Sequence, residues 1–301
     1  MTSNEFTIEV PGSFDYDANV AYLSRSPNEC LHAVVDGAIW KRIPTGLSDP
    51  LVRISGSGNA PLHVRMIEAK DAPPSQEEVQ AIARYVREWF DLDSDLEPFY
   101  AMARQDAILG DVAERFRGLR IVGIPDLFEA ICWGILGQQI NLAFAYALKR
   151  RIVETFGKAT EHEGRRYWTF PEPAAIAALS PDALTPLQIT GRKSEYLIGV
   201  ARLVADGALG KRMLLDAGDA KTAERMLVGI RGIGPWTANY VLMRCLRYPS
   251  AFPIDDVGLH NALKAVLDLP DKPSVARIRE LAAGWAGWEA YATFYLWRVL
   301  Y

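Results

Sequence analysis

The chain has 301 residues, half of them hydrophobic, and 33 Lys and Arg against 37 Asp and Glu give it a formal charge of −4. That length and apolar content suffice for a large core, more readily in two domains than in one. The acidic balance excludes a surface coated in basic residues, so a nucleic-acid partner must be held by a local surface and by backbone groups.

The N-terminal MTSNEFTIEVPGSF carries acids where a secretory signal carries bases. No run approaches the roughly 20 apolar residues of a membrane span. A cytoplasmic protein with no membrane partner is expected. Strand-like runs follow at FTIEV (6–10), LHAVVDGAIWKRI (31–43), LVRISGSG (51–58) and PLHVRMIEA (61–69), with the helix-like YDANVAYLSR (16–25) between the first two. They predict an antiparallel sheet carrying a helix or two. In PPSQEEVQAIARYVREWFDLD, Ser75 and Glu78 predict a capping box, and Val79, Ile82, Val86 and Trp89 recur at helical spacing. From there to Tyr301 strand signals are almost absent.

Helix starts mark the second part. Asp126 with Glu129 opens LFEAICWGILG, Ser180 before Pro181 opens another helix, and RKSEYLIGVARLVADG ends on Gly207. VARIRELAAGWAGWEAYATFYLW reads as two pieces broken near Gly287. The expected fold class is α+β: an N-terminal antiparallel sheet domain with the leading helices of the core over residues 1–120, then an all-α domain over 121–301. Cys30, Cys132 and Cys245 are scattered and odd in number, and His32, His63, His162 and His260 show no ligand pairing. Neither a disulfide framework nor a metal site is expected.

Two stretches carry chemistry. In IRGIGPWTANYVLMR (230–244), Gly232 and Gly234 can take φ > 0 and reverse the chain between a helix ending near Val228 and one starting near Pro235. The second helix then presents unpaired N–H groups and the positive end of its dipole to an anion such as a DNA phosphate. This is a helix-hairpin-helix, although G-x-G between helices also suits a plain tight turn. In AFPIDDVGLHNALKAVL (251–267), Asp255 and Asp256 precede an apolar helix. An Asp there is ordinarily an N-cap, and capping keeps the carboxylate ionised. A fixed anion is also what cleavage of a glycosidic bond through a cationic sugar requires.

GILGQQIN (134–141), GIGPWTANY (232–240), PIDD (253–256) and WEAYATFYLW (288–297), in this order and spacing, make the chain from about residue 115 onward resemble the helix-hairpin-helix DNA glycosylase superfamily, and within it the AlkA-type DNA-3-methyladenine glycosylases. The resemblance implies base excision repair on double-stranded DNA: flipping out a cationic alkylated purine such as 3-methyladenine or 7-methylguanine and hydrolysing its glycosidic bond. It implies that Asp256 is the catalytic aspartate, either stabilising the oxocarbenium character of the sugar or activating water. Strand-cutting members carry a nucleophilic lysine two residues after the second hairpin glycine; Trp236 stands there, which implies a monofunctional enzyme that leaves an abasic site.

The resemblance further assigns Trp236, Tyr240 and Trp297 to the base pocket. Gly232, Gly234, Pro235 and Thr237, with Gln138 and Gln139, fall to DNA binding. Gln139 occupies the wedge position, where a polar side chain departs from the apolar wedge of the best-known members. It implies a monomer with no required cofactor and no iron–sulfur cluster, since no cysteines follow the last helix. Family hairpins often hold a monovalent cation on backbone carbonyls, which allows one here. The competing readings are an oxidised-purine glycosylase of the same superfamily, a non-catalytic helix-hairpin-helix DNA-binding protein, and a small-molecule enzyme or scaffold with a chance hairpin.

Overall fold

The computed structural model describes residues 4–67 and 74–301; Glu68 and Ala69 of the fourth strand-like run, and Pro73 before the first long helix, lie outside them. Five strands, β1 (Glu5–Ile8), β2 (Ala33–Val35), β3 (Ala38–Arg42), β4 (Leu51–Ser55) and β5 (Leu62–Met66), form an antiparallel sheet in the order β1-β5-β4-β3-β2. Its register sets Ile39 opposite Ile54 and Ile54 opposite Val64. Period-2 alternation in β5 buries Leu62, Val64 and Met66 while His63 and Arg65 face solvent. The run LHAVVDGAIWKRI is thus two strands. Asp36 and Gly37, at φ 50° and 73°, turn it in the left-handed pair that suits a tight hairpin.

Helix α1 (Tyr16–Leu23) covers the sheet, with the Tyr16 hydroxyl donating to Ile54 O at 2.9 Å. Helices α2 (Gln76–Trp89), α3 (Glu97–Ala103) and α4 (Leu109–Arg115) lead into the helical part. Ser75 caps α2 by accepting from Glu78 N, while the Glu78 carboxylate accepts from the Ser48 hydroxyl of the sheet region. Helix α5 (Leu127–Gly137), capped by Asp126 as expected, is buried on nearly every side, and α6 (Leu142–Phe156) follows it. Next come β6 (Ala159–His162) and β7 (Arg165–Trp168), a hairpin that corrects the all-helical reading of this half. Glu163 and Gly164, at φ 49° and 71°, make its turn, and Trp40 of β3 stacks on Tyr167 with ring centres 6.0 Å apart. Four-residue strands are too short to show a clear period.

The remaining helices are α7 (Pro173–Ala177), α8 (Gly191–Ala205), α9 (Lys211–Leu215), α10 (Ala220–Val228), α11 (Pro235–Arg244), α12 (Val257–Val266), α13 (Val275–Leu281) and α14 (Glu289–Arg298). Ser180 opens a 3₁₀ helix, Pro181–Leu187, with Pro186 inside it. No described helix is long and apolar enough to cross a membrane.

One apolar core runs from the sheet through α2–α4 into α14, where Phe294 lies 4.6 Å from Tyr22 of α1. Arg120, fully buried at the junction, donates to Asp91 O, Ser94 O and Ser13 Oγ. A buried ion triad joins the two parts: Lys149 of α6 lies 3.1 Å from Glu129 of α5 and 3.4 Å from Glu29 after α1. Desolvation works against each charge. The Lys149 ammonium nonetheless holds Glu29 well below its usual range, and the two carboxylates hold Lys149 above its own.

Lys149→Met leaves two buried carboxylates without their cation and should cost about 3–5 kcal/mol of stability, read as a lower urea midpoint. His32, beside the triad, is pushed down to about 4 by burial despite Glu29, so it is neutral in the fold. The unfolded imidazole takes up its proton first on acidification, so the His32 contribution is intact above about 6.5 and is lost as the pH falls toward 4. Between pH 6.5 and 4.5 the melting temperature should fall more steeply for the wild type than for His32→Gln.

Candidate active site

Between α10 and α11 the chain turns with Ile230 N donating to Leu227 O and Ile233 N to Ile230 O, both at 3.0 Å. Gly232 sits at φ +97°, and a Cβ there would lie 2.3 Å from the Tyr196 ring of α8. The turn therefore needs glycine for conformation and for space. Gly234 corrects the expectation that both glycines take positive φ: at φ −89° and ψ 175° it is the extended N-cap of α11. A Cβ there would meet nothing within 4 Å, so its missing side chain leaves the start of α11 uncovered.

Pro235 is the exposed first residue of α11. The first intrahelical bond is Ala238 N to Gly234 O, which leaves the Trp236 and Thr237 N–H groups without a helical partner. The Thr237 side chain turns inward instead and is 1% exposed. Its Oγ1 accepts from Gln138 Nε2 at 3.1 Å, and its Cγ2 would be 2.6 Å from a Cβ on Gly134. Gln138 is a bracket of the same kind. Its Nε2 also donates to Gly232 O at 2.9 Å, while Lys193 of α8 donates to Leu136 O at 2.7 Å and to Gln138 O at 2.8 Å. Gln139 stands out from this bracket, exposed and at φ +58°, a left-handed conformation uncommon for a residue with a Cβ.

Asp256 caps α12, its Oδ1 accepting from Leu259 N at 2.8 Å. Two indoles complete its shell: Trp297 Nε1 donates to Oδ1 at 2.8 Å and Trp236 Nε1 to Oδ2 at 2.9 Å. Asp255 beside it is exposed. The approach to the cap is fixed by Asn239 of α11, whose Oδ1 accepts from Phe252 N at 3.0 Å, and by Asp256 N donating to Pro253 O at 2.9 Å.

The three aromatic residues singled out in the sequence come together in series. Tyr240 lies 5.7 Å from Trp236 and 6.2 Å from Trp297, with rings tilted by 34° and 31°. Behind them Arg244 donates to the Tyr240 hydroxyl at 2.8 Å and to Val122 O at 2.7 Å. Burial pushes the Tyr240 phenol up to about 12 even against Arg244, so it is neutral near pH 7. The site thus offers a fixed carboxylate, an aromatic wall and, on the hairpin, an open helix N-terminus.

Sequence reasoning missed Asn239, Arg244, Lys193, Tyr196 and Gly258. Only Gly258 left a signal, a glycine in the first turn of a helix where it costs about 1 kcal/mol relative to alanine. Its hydrogen lets Asp256 and Trp297 close together, for a Cβ would lie 2.8 Å from Asp256 Oδ1 and 3.1 Å from Trp297 Nε1. Among the described residues no group of three or more His, Cys, Asp or Glu is arranged to hold a metal ion.

Residues 132–287 match the family model described as HhH-GPD superfamily base excision DNA repair protein, and residues 32–131 match the 8-oxoguanine DNA glycosylase N-terminal domain. The chain is 50% identical over 294 residues to a Bacillus subtilis DNA-3-methyladenine glycosylase, covering 98% of this chain and 96% of that protein. Its fold is similar to that of a 3-methyladenine DNA-glycosylase from Archaeoglobus fulgidus, with a TM-score of 0.81 at 24% identity and 97% of each chain covered. It is similar also to a Clostridium acetobutylicum 8-oxoguanine glycosylase/lyase in complex with double-stranded DNA, with a TM-score of 0.74 at 19% identity over 95% of this chain and 91% of that one.

The two hairpin glycines should respond differently to alanine. Gly232→Ala is strained in backbone and in space and should lower the melting temperature by several degrees, about 1–3 kcal/mol. Gly234→Ala should melt within about a degree of wild type, since its conformation is open to any residue.

Proposed function

The chain belongs to the HhH-GPD superfamily of base excision DNA repair proteins, and on that premise we propose that it is a monofunctional DNA glycosylase that releases alkylated, cationic purines from duplex DNA. The observation that carries this reading is the Asp256 carboxylate held by three donors beside three aromatic rings. DNA backbone is gripped where Gly234 leaves the start of α11 bare, through the free N–H groups of Trp236 and Thr237 and the helix dipole. Such an anchor suits a protein of net charge −4, because it needs few lysines. Gln139, exposed beside the hairpin, fills the gap left by the flipped nucleotide.

The flipped purine rests on the wall of Trp236, Tyr240 and Trp297, whose ring faces attract a positively charged base. As the bond from C1′ to the base nitrogen breaks, its electron pair leaves with the purine and positive charge grows on the sugar. Asp256 opposes that charge. A unit pair about 4 Å apart at an effective dielectric near 20 interacts by about 4 kcal/mol, or roughly three decades in rate. Three of the four acceptor positions of the carboxylate are already taken, which favours a fixed charge over a proton acceptor. Water then adds at C1′ and gives up its proton to solvent, leaving an abasic site. An N3- or N7-alkylated purine leaves as a neutral base and needs no protonation, which fits a site without a dedicated general acid.

The strand-cutting alternative needs an amine at the sugar. Position 236 offers an indole N–H already given to Asp256, and the Lys193 ammonium is given to two carbonyls. For a monovalent cation at the hairpin the fit is partial, since Gly232 O accepts from Gln138 and Ile230 O from Ile233 N. Such an ion would add positive charge near a phosphate and takes no part in the chemistry. The enzyme works as a monomer in the cytoplasm.

Asp256→Asn should bind duplex as the wild type does and lose roughly 10³-fold in release of methylpurines from methylated DNA, with product strands breaking only after alkali. Near-normal release by this variant would remove the role given to Asp256, and strand breaks before alkali would restore the strand-cutting alternative.

A further inference from the structure

Resting on that reading of the site, we propose that Trp236 and Trp297 are positioning residues whose indole N–H groups hold the Asp256 carboxylate in its working orientation, a role separate from stacking on the base. A capping aspartate is fixed at one oxygen only, the one that faces the helix N–H groups. Asp256 is fixed at both. Oδ1 takes Leu259 N and Trp297 Nε1, and Oδ2, which the cap leaves free to swing, takes Trp236 Nε1.

The two indoles come from α11 and α14, helices far apart in sequence, and their N–H edges converge on one carboxylate from either side. Stacking alone would be served by phenylalanine or tyrosine at either position. Tyr240, between them, packs its tilted ring against both and makes no hydrogen bond to Asp256, its hydroxyl being occupied by Arg244. What tryptophan adds is a ring donor at the end of a rigid arm.

Gly258 supplies independent support. Glycine in the first turn of α12 sacrifices helix stability. In return it opens the gap through which Trp297 Nε1 reaches Asp256, a gap that a Cβ at 2.8 Å from Oδ1 and 3.1 Å from Nε1 would close. A carboxylate oriented before reaction needs no rearrangement when charge develops on the sugar, so these donors act on the chemical step rather than on binding. Neither indole N–H need touch the reacting atoms.

The test uses the intact protein with Trp236→Phe, Trp297→Phe and Gly258→Ala, in single-turnover release of 7-methylguanine from methylated duplex and in binding to an abasic-site duplex. Each Phe variant keeps an aromatic face and should lose roughly 10- to 100-fold in maximal rate, while half-saturation and abasic-duplex affinity stay within about twofold. Gly258→Ala keeps both indoles and should also lose rate, which covers the case of a Phe variant that folds poorly. In ¹⁵N-tryptophan-labelled protein, Asp256→Asn should move two indole N–H cross-peaks. Phe variants that turn over at the wild-type rate, a loss confined to half-saturation, or indole peaks indifferent to Asp256→Asn would each overturn the proposal. A wild type that frees no base removes the glycosylase reading and the proposal with it, whereas an active wild type with fully active Phe variants removes the proposal alone.

Discussion

Three helices meet at the Asp256 carboxylate, and much of the molecule can be understood as the means of bringing them there. The side chain starts α12, receives an indole from α11 and receives another from α14. A carboxylate in such a place is held in the protein at a cost in desolvation that only donors can offset. Because those donors come from separate helices, the register of each helix pair is tied to one group. The half-buried position matters as well: fully enclosed, the anion could not face a substrate, and fully exposed, it would be screened and free to rotate.

Placing α11 in turn depends on α5, the most enclosed helix of the fold. Gly134 on α5 admits the Thr237 methyl, and Gln138 at its end ties the hairpin turn to the same helix. One small-residue contact thus sets the distance between the exposed Gln139 and the open start of α11. Lys193 bonds the carbonyls of Leu136 and of the C-cap Gln138 at the end of α5. The surface proposed to meet DNA is therefore built on a bracket whose side-chain polar groups are bonded internally, so Gln138 and Thr237 sit behind that surface and hold its backbone.

Legibility in the sequence followed the range of the interaction. The caps at Ser75, Asp126 and Asp256 were readable because each is a contact over three residues. So were the long amphipathic helices and most of the sheet. The β6–β7 hairpin escaped because its strands are short and it depends on Trp40, well over a hundred residues earlier in the chain. At the site, Trp236, Tyr240, Trp297 and Asp256 were legible through motif order. The hydrogen bonds among them were not, because spacing gives proximity on one helix and says nothing of which ring edge meets a carboxylate from another. Gly234 shows the same limit: a glycine read for its freedom of φ is there for the space its missing side chain leaves.

Position 236 draws these strands together. An amine there would carry a proton, a charge and a nucleophilic lone pair, and with the sugar within reach it would commit the site to covalent chemistry. An indole keeps the donor and gives up the nucleophile. It can bond Asp256 with nearly the same length as a cationic donor would, yet it adds no positive charge to compete with the developing charge on the sugar. It also brings a ring face large enough to support a flipped purine. In the function we propose, hydrolysis rather than strand cutting and attraction to a positively charged base rest on this side chain, which shares the holding of Asp256 with Trp297 and Leu259 N, so that GIGPWTAN carries an indole that turning alone never required.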